Sequence, residues 1–509
     1  MKKNILLLLC LIAFQTVFAQ DKSLSISKVE PTNWWVGMKN PNLQLLIYGK
    51  NISNANVKIT YEGVLLKQIS KVENPNYLFI DLTISSEAQA GKMPIELTLG
   101  DQKTTIQYEL RQKSTDKNRI MGFNSSDLMY LLMPDRFANG DPSNDNAPEL
   151  TQKADRKDPQ GRHGGDIQGI IKNLDYLKSL GVTALWINPV LENNMGLYSY
   201  HGYSATDLYQ VDKRFGGNEA YLKLIEEAHK KGIKIIKDMV LNHFGDKHWL
   251  IKDIPSKDWV NYPEGLQDQS KWTQEQKMSI RTNFRSAVHS DPYASEEDKK
   301  KMMDGWFDSF MPDLNQRNPL LATYLTQNSI WWIEYSGIDG IRMDTYIYPD
   351  KIFIANWAKA LMTEYPQFNI VGEAWCENVG LQSYWQMKNN YDGYNSQLPS
   401  VTDFPIWKAI VNAFKEDFGW ETGLTRLYYA IGQDYLYSNP NGNLIFADNH
   451  DVTRMFTEAK ENLSSYKQII AFLMTTRGIP QVYYGTEILF TGDGSNHAEI
   501  RLDYPGGWE

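Results

Sequence analysis

From residue 127 onward, short apolar runs alternate with helical patterns, and few folds accommodate that rhythm. The runs are Leu128–Met133, Val182–Asn188, Ile233–Val240, Ile338–Asp344, Asn369–Glu373, Leu398–Phe404, Leu444–Asp448 and Ile479–Tyr484. Helical periodicity separates them, for example over Gly217–Lys231, Leu320–Tyr335 and Tyr466–Thr476. Eight strands in series, each followed by a helix, predict an α/β fold closed as a (β/α)8 barrel rather than an open sheet. Such a barrel takes roughly 250 residues, and 116–509 is longer. The longest gap, 243–314, follows the third strand. It is rich in Trp, Lys, Asp and Gln and reads as a small irregular subdomain inserted over the barrel mouth.

The stretch before the barrel has a different grammar. Leu43–Gly49, Val57–Tyr61, Tyr77–Leu82 and Ile95–Leu99 are strand-like runs punctuated by Gly, Asn and Pro turns. This spacing predicts an immunoglobulin-like β-sandwich over 20–115, joined to the barrel through the polar stretch Gln112–Arg119. Trp34-Trp35 near its start fits either a binding platform or ordinary packing. Residues 1–19 read as a secretory signal: Lys2 and Lys3 precede the apolar run Ile5–Phe14, and Val17-Phe18-Ala19 offers a cleavage site. The run is shorter than the roughly 20 residues a spanning helix needs. A cleaved, secreted chain would lie in the periplasm of a cell with two membranes. It would keep only Cys376 of its 2 cysteines, which excludes an intrachain disulfide. A net charge of −9 with no basic cluster speaks against nucleic acid as a partner.

Acids stand at several of the predicted strand ends. The fourth run, Gly337-Ile338-Asp339-Gly340-Ile341-Arg342-Met343-Asp344, ends in a charged pair. Strand side chains alternate, so Arg342 and Asp344 share a face, and the cation keeps the carboxylate ionised. A nucleophile and a structural ion pair both fit this stretch taken alone. The third run ends Asp238-Met239-Val240-Leu241-Asn242-His243, the fifth Val371-Gly372-Glu373-Ala374-Trp375, and the seventh runs into Asp448-Asn449-His450-Asp451. Barrel active sites gather at strand C-terminal ends. Unpaired buried acids are costly, so a convergent acidic mouth points to chemistry. A second oxygen-rich stretch, Asp135–Asn146, suits either calcium or an ordinary loop.

Those four strand ends, in that order, resemble the signature regions of the α-amylase superfamily of (β/α)8 (TIM-barrel) enzymes. Met311-Pro312-Asp313-Leu314-Asn315 resembles a fifth region, and Gly478–Gly485 the closing eighth strand. The leading segment, with Glu30–Met38, is similar to the N-terminal domain of cyclomaltodextrinases and neopullulanases. The resemblance implies a retaining hydrolase of α-1,4-glucosidic bonds in cyclomaltodextrins, pullulan or maltooligosaccharides. It gives Asp344 as nucleophile, Glu373 as general acid and base, and Asp451 as transition-state stabiliser. Arg342 would orient Asp344. His201, Tyr203, His243 and His450 would bind the sugar, while Asp238 and Asn242 would be structural. A structural calcium would be held by Asn139, Asp141, Asn144, Asp145, Asp166 and the Gly164 carbonyl. The resemblance further implies a homodimer formed through the sandwich.

Two rival readings stay open on the same residues: a glucanotransferase, in which sugar replaces water, and a catalytically silent sugar-binding protein. Relatives continue past the eighth strand with a covering helix and a C-terminal β-domain. This sequence stops at Gly506-Gly507-Trp508-Glu509, so apolar surface on the last strand is expected to face water.

Overall fold

The computed structural model describes residues 24–508; the predicted signal segment lies outside them. The first eight strands are β1 (Ile26–Glu30), β2 (Trp34–Val36), β3 (Asn42–Gly49), β4 (Asn56–Ile59), β5 (Val64–Ser70), β6 (Tyr77–Ile84), β7 (Gly91–Leu99) and β8 (Gln102–Gln112). They form two four-stranded sheets, ordered β1-β3-β6-β5 and β2-β8-β7-β4. Gly100, at φ +57°, takes the left-handed turn that joins β7 to β8. The two sheets close over Leu45, Ile47, Ile80, Ile95 and Leu97, all fully buried. Trp34 and Trp35 are buried with their rings edge-on at 5.9 Å, so they are packing and not a platform.

β3 and β6 are buried almost without interruption. One face meets the second sheet and the other lies against the barrel. There Gln44 and Gln327 exchange two hydrogen bonds: the Gln44 amide N–H donates to Gln327 Oε1 at 2.7 Å, and Gln327 Nε2 donates to the Gln44 carbonyl at 2.8 Å. Tyr324 donates to Glu30 Oε2 at 2.7 Å, and Lys28 pairs with Asp207 at 2.6 Å.

The remaining strands are β9 (Met129–Leu132), β10 (Ala184–Ile187), β11 (Lys234–Met239), β12 (Gly340–Met343), β13 (Asn369–Gly372), β14 (Ser400–Val401), β15 (Leu444–Phe446) and β16 (Ile479–Tyr483). They follow one another in parallel from β9 to β14, and β15-β16 pairs back onto β9. A parallel bridge between Thr402 and Leu444 closes the ring, which makes this the expected eight-stranded α/β barrel. The covering helices carry the sequence's periodicity. Gly217–Lys230 buries Tyr221, Leu224, Ile225 and Ala228, one stripe of a helix. Pro319–Ser336 starts at Asn318, whose side chain accepts from the Leu320 and Leu321 N–H groups. It stops at Gly337, where φ is +77° and the chain turns into β12.

Between β11 and β12 the inserted segment is irregular. Its helices Trp249–Lys252, Gln274–Ile280 and Glu296–Asp304 are short, and Trp259 and Trp306 fill its interior. Bridges His243–Asp313 and Val260–Leu314 tie its two ends together. On the far side of the barrel, Val482 of β16 borders an open apolar groove of about 470 Å³ with Leu128, Leu180, Ile470 and Met474. Among the described residues no helix is long and apolar enough to cross a membrane. Cys376 is buried, and burial pushes its thiol up to about 11.

Candidate active site

Arg342, the penultimate residue of β12, lies beneath three carboxyl groups. Its Nη1 is 2.6 Å from Asp344 Oδ1 and 3.1 Å from Asp238 Oδ1, and its Nη2 is 2.9 Å from Glu373 Oε2. Strand register explains the convergence: β12 is the neighbour of both β11 and β13, so the three strand ends arrive side by side. Just past Asp344, Thr345 takes a left-handed φ of +47°. That turn aims its backbone N–H at Glu373 Oε2, 2.8 Å away. Glu373 Oε1 has no hydrogen-bond partner among the described residues and is free for a ligand.

One guanidinium cannot neutralise three buried carboxylates. Burial raises the Asp344 carboxyl well above its usual range; Arg342 opposes the shift, and the Glu373 and Asp238 charges add to it. Burial likewise pushes Asp238 up to about 6 against Arg342. The expected ionised state of Asp344 is therefore opposed by burial, and Asp344 and Asp238 titrate together rather than independently.

Tyr203 links this cluster to Asp451. Its hydroxyl donates to Asp238 Oδ2 at 3.0 Å and accepts from Asn188 Nδ2 at 2.7 Å. The same oxygen is 2.7 Å from His450 Nε2, which stands 3.1 Å from Asp451 Oδ2. The Tyr203 and His450 rings are parallel within 5°. His201 Nδ1 accepts from the Tyr203 N–H at 3.0 Å, and His243 Nε2 meets the Tyr203 carbonyl at 3.0 Å. Burial lowers His201 and His450 to about 3 and His243 to about 4, so all three imidazoles are neutral at pH 7.

Asp344, Glu373, Asp451, His201, Tyr203 and His243 line one cleft of about 560 Å³. Arg342 and His450, 2% and 1% exposed, lie behind that surface rather than on it. Phe284, Phe307, Met311, Tyr348 and Trp375 form the apolar walls. A larger cleft of about 880 Å³ follows the seam between sandwich and barrel, and none of the acids above lines it. Several lining residues went unread in the sequence. Phe284 and Phe307 come from the irregular insertion, and His497 and Arg501 from beyond β16, where no signature was available. Asp238, read as structural, is in direct contact with Arg342 and Tyr203.

The expected calcium loop is gathered around Asp166. Its Oδ1 accepts from the N–H groups of Gly140 (3.0 Å) and Gly169 (2.6 Å). Its Oδ2 accepts from the Asp141 N–H at 2.8 Å and from Asn144 Nδ2 at 3.0 Å. Asn139 Nδ2 donates to Asp145 Oδ1 at 2.8 Å. A Cβ on Gly164 would stand 2.8 Å from that oxygen, so the backbone there approaches as only glycine can. Asn139 Oδ1 and Asn144 Oδ1 are buried without any partner. Among the described residues no three His, Cys, Asp or Glu side chains are drawn together as a metal cage. The fit to a hard cation therefore rests on the two orphaned amide oxygens beside Asp141, Asp145 and Asp166.

An eight-stranded barrel with acids at adjacent strand ends defines a class of enzyme-like scaffold, and comparison with known proteins narrows it. The α-amylase catalytic-domain family matches residues 131–503, and the cyclomaltodextrinase N-terminal family matches 28–114. The chain belongs to the α-amylase family. Among curated relatives, neopullulanase 2 of Thermoactinomyces vulgaris is 31% identical over 72% of this chain and 57% of its own length. A cyclomaltodextrinase of Thermoanaerobacter pseudethanolicus is 28% identical over 72% of this chain and 58% of its own. A β/α-amylase of Paenibacillus polymyxa is 31% identical over 74% of this chain. The chain spans between 29% and 58% of the length of these relatives. Among solved structures, the Anoxybacillus α-amylase superposes with a TM-score of 0.61 at 31% identity, covering 75% of each chain. The Geobacillus thermoleovorans α-amylase, solved with acarbose, gives 0.60 at 30% identity over the same share.

Proposed function

We propose that this protein hydrolyses α-1,4-glucosidic bonds with retention of configuration, acting on cyclomaltodextrins, pullulan or maltooligosaccharides. The observation that carries the reading is the placement of Asp344, Glu373 and Asp451 around one cleft, with Arg342 bridging the first two. Asp344 attacks the anomeric carbon while Glu373 gives its proton to the glycosidic oxygen, whose bond to that carbon breaks. Glu373 then takes a proton from water as the water oxygen displaces Asp344. Two inversions leave the configuration unchanged. Asp451 stabilises the distorted sugar through its hydroxyls, Tyr203 offers a flat face to the ring, and His201 and His243 supply neutral polar edges.

The aromatic wall of Phe284, Phe307 and Tyr348 supports a second reading, glucanotransfer, because a second sugar held there competes with water. A calcium ion held by Asn139, Asp141, Asn144, Asp145, Asp166 and the Gly164 carbonyl would brace the barrel mouth and take no part in the chemistry. Export to the periplasm rests on the N-terminal signal pattern, and dimerisation through the sandwich rests on family resemblance. Assaying the protein on cyclomaltodextrin, pullulan, starch and maltotriose separates the readings, since oligomers longer than maltotriose mean transfer. Asp344→Asn abolishes turnover and Glu373→Gln lowers it about 10²–10⁴-fold, both with an unchanged melting temperature. An Asp344→Asn variant that keeps substantial activity overturns the assignment.

A further inference from the structure

Asp451 is the one acid of the three that Arg342 does not touch. Its carboxylate contacts two basic side chains: His450 at 3.1 Å and Arg501 at 2.9 Å. His450 is neutral at pH 7 because burial lowers it to about 3. The fixed positive charge in contact with Asp451 is therefore Arg501. Burial works against the ionised form of Asp451, yet His450 first, then Arg501 and the more distant Arg342, hold it down at about 2.

Arg501 is held from several directions. It is only 5% exposed. Its Nε donates to the His450 carbonyl at 2.9 Å, and its Nη1 is 3.3 Å from the Tyr200 hydroxyl. Its own carbonyl accepts from Arg136 Nε at 3.2 Å. Two residues on, Asp503 pairs with His163 at 2.6 Å and Arg156 at 2.7 Å. The loops after β9 thus hold this segment, and the guanidinium reaches Asp451 from a buried position with its other nitrogens engaged. A planar cation fixed in this way selects one carboxylate rotamer.

We propose that Arg501 is a positioning residue that fixes the Asp451 carboxylate in the cleft. This rests on the reading of Asp451 as the transition-state acid. A merely structural Arg501 would tie the segment 497–503 to the barrel and nothing more. A residue that binds sugar through its own guanidinium would act mainly on KM.

The test is a double-mutant cycle on the full chain, read as kcat and KM on a substrate that the wild type turns over. Arg501→Met is expected to lower kcat about 10–100-fold with KM changed less than about 3-fold, the loss of one charge-assisted hydrogen bond. Arg501→Lys is expected to recover part of it and guards against a misfolded methionine variant. In an Asp451→Asn background, removing Arg501 is expected to cost less than about 3-fold more. Losses that multiply in the double variant overturn the proposal, as does a change confined to KM. A wild type inert on every α-glucan overturns the functional reading instead, and this proposal with it. That outcome is visible before any variant is made.

Discussion

Lys237 stands one residue before Asp238 in β11, and strand alternation sends its side chain to the opposite face, away from the acids. It is 2% exposed, and its Nζ has no hydrogen-bond partner. Its closest favourable contacts are aromatic: Nζ lies 4.1 Å from the centre of the Trp332 ring and 5.1 Å from that of Tyr221. Burial lowers its pKa to about 7. Between about 7 and the ordinary 10.5 the unfolded chain binds more protons than the folded one. Stability therefore rises with pH across that window and is flat below it. Lys237→Met keeps the volume and removes the buried ammonium. It should raise stability at pH 7 by roughly 1–3 kcal/mol and abolish the rise between pH 7 and 10. Thermal melts at pH 7, 8.5 and 10 check this, and a less stable variant would mean that the rings hold the ammonium better than its burial hurts. No pattern in the sequence marks this residue, because its burial comes from helices packed over it, one ending just before β11 and the other far along the chain.

At the scale of elements, the strands of the barrel were legible because each is short, apolar and bounded by a helical pattern. The acids Asp344 and Glu373 were legible for a related reason: each follows directly on a strand, so its place in the ring follows from its place in the chain. Arg501 and the aromatic wall were not, since they lie on irregular segments whose path is set by tertiary packing. The loop Asn139–Asp166 stands between these cases. Its oxygens were visible in the sequence, but the orphaned amide oxygens of Asn139 and Asn144 appear only once the loop is folded around Asp166. A chelator should lower the melting temperature by several degrees, and added calcium should restore it. Asp145→Ala should start lower and ignore both. A melting temperature indifferent to chelator would mean that those two amide oxygens are simply unpaired.

At the scale of the molecule, the sandwich is joined to the rest of the chain by polar contacts as well as by packed rings such as Tyr77 on Trp249 and Phe79 on Trp259. The Gln44–Gln327 exchange, the Tyr324–Glu30 bond and the Lys28–Asp207 pair all cross the seam. Burial pushes Glu30, which accepts the Tyr324 bond, up to about 8, with Lys28 opposing the shift. With the insertion folded over the strand ends, the cleft is lined by acids and histidines together with aromatic side chains. The proposed two-step displacement at a sugar carbon has a covalent stage between its steps. The direct test of the account is to trap that stage with a fluorinated α-glucosyl fluoride, whose glycosyl-enzyme breaks down slowly, and to map the adduct by peptide mass spectrometry. The account predicts one fluoroglucosyl group on the peptide that contains Asp344, absent from Asp344→Asn. No adduct on a protein that turns over substrate, or an adduct on a different carboxylate, would contradict it.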